Sequence, residues 1–118
     1  MELLNIEELK ESKLFLENIR WDITPKIFVD PSSAGKASGE AADISHGYMF
    51  YVDLINDRPA VVVMQLKYEF SKTVGYIYEI PEDLLREAMH CADSECVVGM
   101  YPVTDKLAEW LKQAFGIA

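Results

Sequence analysis

The sequence predicts an α+β domain, an antiparallel β-meander sheet of about four to five strands packed by three helices, in the order α-β-β-β-β-α-β-α. Three observations carry this. Apolar and aromatic residues alternate along residues 47–80, stretches with helical periodicity lie on either side, and turn-forming residues separate the runs. No internal repeat is visible. At 118 residues, half of them apolar, the chain is long enough for one core, and residues 1–118 read as a single domain.

The first element is an amphipathic helix over 6–19. Ile6, Leu9, Leu16 and Ile19 recur at helical spacing, and Glu7, Glu8, Glu11 and Glu17 keep the other side wet. Thr24-Pro25 ends it, because the residue before proline avoids the α region. A short strand is expected at 26–29. Residues 30–45, rich in Ser, Gly and Ala, read as a long flexible loop within the domain, a length often tied to function. Within that loop Ala34-Gly35-Lys36-Ala37-Ser38 lacks the first glycine of a phosphate-binding loop, since Asp30 stands in its place.

The meander gives the clearest pattern. Tyr48, Phe50, Val52 and Leu54 alternate on one strand, Val62, Met64, Leu66, Tyr68 and Phe70 on the next, and Val74, Tyr76, Tyr78 and Ile80 on a third. Asn56-Asp57-Arg58-Pro59 is the expected first turn and Ser71-Lys72-Thr73 the second. Joining the even-numbered apolar sets on one face predicts Phe50 opposite Leu66, Val52 opposite Met64, Leu66 opposite Tyr78 and Tyr68 opposite Tyr76. Beyond it, Pro81 opens a helix with Leu84, Leu85, Ala88, Met89 and Ala92 as its apolar stripe. A short strand follows at 97–101. Thr104 then caps a last helix that turns Leu107, Trp110, Leu111, Ala114 and Phe115 inward and ends at Gly116.

Charge and composition bound the function. A net charge of −9 and the lack of any Lys/Arg cluster disfavour nucleic acid as a partner. No apolar run reaches the roughly 20 residues that span a bilayer. The acidic start Met1-Glu2-Leu3-Leu4-Asn5-Ile6-Glu7-Glu8 lacks the basic start and apolar stretch of a signal peptide, which places the chain in the cytoplasm.

With the even-numbered set as core, the other sheet face carries Met49, Tyr51, Asp53, Ile55, Val63, Gln65 and Lys67 among further aliphatic residues. A half-apolar face needs a cover, either a helix or a second subunit. Three helices leave little to spare, so Met49, Tyr51, Ile55 and Val63 become candidate binding residues of a non-catalytic interaction or ligand-binding module, a homodimer with an unknown protein or small-molecule partner. No cofactor is implied.

Two other constellations bear on chemistry. Asp53 on one strand, followed by Gln65-Leu66-Lys67 on the next, resembles the hairpin of the PD-(D/E)xK nuclease superfamily, whose members carry an acid there and then acid-x-lysine. Gln65 stands where the family has its second acid. The resemblance implies a divalent metal held by Asp53 and the Gln65 position, with Lys67 assisting an attacking water. His90, Cys91 and Cys96 form an incomplete zinc-like ligand set. A cytosolic chain with two cysteines would otherwise keep them as thiols.

Overall fold

The computed structural model describes residues 2–21, 46–67, 70–90 and 101–117. The expected strand at 26–29, the loop at 30–45, and Cys91 and Cys96 lie outside the described residues.

One mixed sheet organises the fold. In chain order the elements are β1 (Glu2–Leu3), α1 (Ile6–Glu11), α2 (Lys13–Glu17), β2 (His46–Ile55), β3 (Arg58–Lys67), β4 (Phe70–Ile77), α3 (Glu82–Ala88), β5 (Tyr101–Pro102) and α4 (Asp105–Phe115). The strand order is β1-β4-β3-β2-β5. The central β2-β3-β4 meander is antiparallel as expected. The sheet as a whole is not, because β1 runs parallel to β4.

The single helix expected over 6–19 is two short ones. Ser12 stands between them with extended backbone (φ −87°, ψ 94°); its N–H donates to the Leu9 carbonyl and its hydroxyl accepts from the Phe15 N–H at 3.3 Å. A serine that can cap the following turn competes with helix continuation. Ile19 leaves the helix and bridges in parallel to Tyr48. The terminal helix matches expectation. The Thr104 hydroxyl accepts from the Leu107 N–H at 3.2 Å, and Gly116, at φ 77°, supplies the left-handed cap that glycine adopts without strain.

The strand register differs from the expected one. Phe50 lies opposite Val63 and Val52 opposite Val61, three positions away from the sequence-based pairing. An odd shift inverts the faces, so Phe50 and Val52 share theirs with Val61 and Val63 rather than with Met64. The pairings of Leu66 with Tyr78 and Tyr68 with Tyr76 give way as well. Leu66 pairs with Ser71 and Tyr76 with Val62, across a bulge at Val63/Met64.

The cause lies in the turn. Only Asn56 (φ 53°) and Asp57 (φ 64°) form it, both left-handed, as in the two-residue type I′ turns that match strand twist. Arg58 and Pro59 belong to β3. Pro59 tolerates that place because it lies beyond Val61, whose partner Ile77 is the last residue of β4, so its missing N–H has no ladder partner to lose. Asp57→Gly is expected to stabilise the fold by roughly 0.5–1 kcal/mol, since glycine occupies the left-handed region more cheaply. The check is a higher urea midpoint at unchanged slope, measured in dilute protein.

The first sheet face (Phe50, Val52, Val61, Val63 and Ile77) packs against all four described helices in one core. Phe15 is buried at its centre, although the sequence reading passed over it. The second face is buried too: Met49, Tyr51, Ala60, Val62 and Met64 are at most 5% exposed, yet none belongs to the helix-covered core. Among the described residues no helix is long and apolar enough to cross a membrane.

Candidate functional site

The register decides which predicted site residues meet. Met49, Tyr51, Asp53 and Ile55 alternate along β2 and so share the second face, with Met64, Val62, Ala60 and Arg58 opposite them in turn. Val63 does not join them. It lies opposite Phe50 on the helix-covered face and is fully buried. Of the four expected binding residues, Met49 and Tyr51 are buried within the single chain, and only Ile55 keeps appreciable surface.

Asp53 and Gln65 likewise fall on opposite faces. Asp53 stands across from Ala60 on the second face, whereas Gln65 stands across from Tyr48 on the first. Gln65 lines a small cavity of about 150 Å³ with Leu14, Asn18, Gly47 and Tyr48. Lys67 occupies the register position opposite His46. The shared metal site implied by the nuclease resemblance requires Asp53 and position 65 on one face, and the observed pairing separates them. Among the described residues no group of three or more His, Cys, Asp or Glu side chains could hold a metal ion. His90 is exposed just after α3.

Two parts of the second face have distinct character. In its middle, Tyr51 and Asp53 are neighbours. Burial pushes the Tyr51 phenol above its ordinary pKa, the Asp53 charge pushes it further, and a hydrogen bond with the Thr73 side chain acts the other way. The Asp53 carboxyl is raised by burial as well, opposed by the Leu54 N–H that it accepts at 2.7 Å. A carboxyl whose folded-state pKa is raised holds its proton more tightly in the folded state. The folded form is then favoured at low pH, and that advantage is lost as pH rises from about 4, the unfolded value, through the higher folded one. Asp53→Asn is therefore expected to be more stable than the parent chain at neutral pH, with the difference shrinking on acidification. Paired urea titrations across this range check it, and a pH-independent difference between the two would contradict it.

At the hairpin end the face opens to solvent. The Tyr78 hydroxyl donates to the Ile55 carbonyl at 2.8 Å, tying the residue that follows β4 to the last residue of β2. The Arg58 guanidinium lies over the Tyr78 ring, 4.1 Å from its centre, and Tyr76 meets Tyr78 edge to face at 5.0 Å. Ile55, Tyr76 and Tyr78 are half-buried and Arg58 is exposed. Sequence reasoning placed Tyr76 and Tyr78 in the core and Arg58 in a turn. The cation–π pair follows from the cross-strand register, which the alternation alone misassigned.

Elsewhere, α3 and α4 border an open groove of about 450 Å³ lined by Leu84, Trp110, Gln113 and the charged Asp105, Lys106 and Glu109. Comparison of the chain with protein-family models, with curated proteins and with solved structures finds no match.

Proposed function

We propose that this chain is a small non-catalytic interaction module that pairs with a second copy of itself through the hairpin end of its second sheet face. The observation that carries this reading is the Ile55–Arg58–Tyr76–Tyr78 patch, which combines half-exposed aromatic and aliphatic surface with a guanidinium held over an aromatic ring. Tyrosine and arginine are the residue types that anchor protein interfaces, because each presents a large, well-ordered contact area with a polar tip. Both tyrosines are already held by ring packing, and Tyr78 by its hydroxyl as well. Little side-chain entropy is then left to lose on association.

Met49 and Tyr51 have a supporting role in this reading. Buried in the single chain, they hold the middle of the face rigid, while contact is made at its rim. Light scattering and analytical ultracentrifugation at rising concentration test the proposal. A dimer is expected for the parent chain, and a monomer with unchanged circular dichroism for Ile55→Lys. A parent chain that stays monomeric in the millimolar range contradicts the reading, as does a dimer indifferent to Ile55→Lys.

A further inference from the structure

Resting on that reading, we propose that Asp57 and Arg58 form its polar contact, the guanidinium of each copy taking the Asp57 carboxylate of the other. The Arg58 guanidinium carbon sits over the Tyr78 ring, 4.1 Å from its centre, so the contact engages the π face of the ring. A cation–π contact of this kind consumes none of the hydrogen bonds a guanidinium makes to a carboxylate, so those donors remain available. Arg58 forms no ion pair with any described residue, in a chain with 20 acidic and 11 basic side chains. Lys10, Lys13, Arg86, Lys106 and Lys112 each pair with a glutamate.

The choice of a second copy as occupant follows from the turn itself. Asp57 and Arg58 are adjacent, exposed and opposite in charge, and the left-handed backbone at Asn56 and Asp57 sets them at the tip of a tight hairpin. Such a pair is self-complementary across a twofold axis. Each copy offers one donor and one acceptor in reversed order, so a single isologous contact forms both ion pairs. Two chains of charge −9 repel at long range, which a reciprocal contact of this kind offsets locally.

Charge exchange tests it by analytical ultracentrifugation. Arg58→Asp and Asp57→Lys are each expected to weaken self-association at least about tenfold, because each replaces two attractions with two repulsions. The double variant Asp57→Lys/Arg58→Asp is expected to recover it, and an equimolar mixture of the two single variants to form a heterodimer. Circular dichroism and urea midpoints confirm that each variant is folded. Failure of the double variant and of the mixture to associate overturns the ion-pair assignment, as does an Arg58→Asp dimer of parental strength. A dimer of the parent chain that still depends on Ile55 would then leave the broader reading standing. A monomeric parent chain overturns both.

Discussion

Phe50→Ala is expected to cost about 3–5 kcal/mol of folding stability, the largest effect of any single truncation among the described residues. Phe50 is fully buried where the sheet meets the helices. Its ring lies 5.4 Å from Trp21, 6.0 Å and nearly parallel to Phe115, and 6.3 Å from Phe15. One residue thus joins β2 to α2, to α4 and to the segment after α2. Removing the ring forfeits its transfer free energy and leaves a cavity among three other aromatics, whose rigid shapes close poorly around it. Small domains have about 5–15 kcal/mol in total, so the variant should be marginal at room temperature. Phe50→Leu, which keeps most of the volume, should cost well under half as much. Urea unfolding followed by tryptophan fluorescence checks both, as Trp21 packs directly on the ring. A cost near 1 kcal/mol for Phe50→Ala would mean that the helices do not close on the first sheet face as described.

The hairpin shows what the sequence made legible and what it did not. Alternation identified β2, β3 and β4 as strands, and Thr104 and Gly116 marked the ends of α4, because these signals are local. Register is a relation between strands. Here it was carried by a two-residue turn whose Asn-Asp pair lacks the glycine that usually marks such a turn, and by four consecutive apolar residues, Val61 to Met64. A strand buried on both faces has no alternation to choose between registers, and all four of these are at most 4% exposed. The misassignment carried straight into the site. It put Val63 beside Tyr51 and Gln65 beside Asp53, whereas the observed pairing sends Val63 and Gln65 to the opposite face. Asp53, Tyr51 and Ile55 stayed together because they lie on one strand, where period two holds whatever the partner. Arg58 over Tyr78 could have been found from sequence only by treating Asn56-Asp57 as the whole turn. The break at Ser12 was similarly hidden, since the helical spacing of Ile6, Leu9 and Leu16 survives it.

A β-carbon at Gly75 is the second change expected to be severe. Gly75 lies in β4 opposite Val63 and, on its other side, beside Glu2 of the parallel strand β1. A methyl group there would collide with the Glu2 carbonyl oxygen and would come within 2.7 Å of Leu4 Cγ. The first neighbour is backbone and cannot rotate away. Gly75→Ala must therefore displace β1, breaking its two-residue pairing and the bond from the Leu4 N–H to the Tyr76 carbonyl at 2.8 Å. The expected cost is about 1–3 kcal/mol, and Gly75→Val should exceed it because a second branch meets the same wall. A double-mutant cycle separates this clash from any intrinsic effect of alanine in a strand. With residues 1–4 deleted, the obstacle is gone and Gly75→Ala should become neutral or slightly stabilising, since alanine loses less backbone freedom on folding than glycine. A penalty that persists in the truncated chain would show that something other than β1 crowds this site.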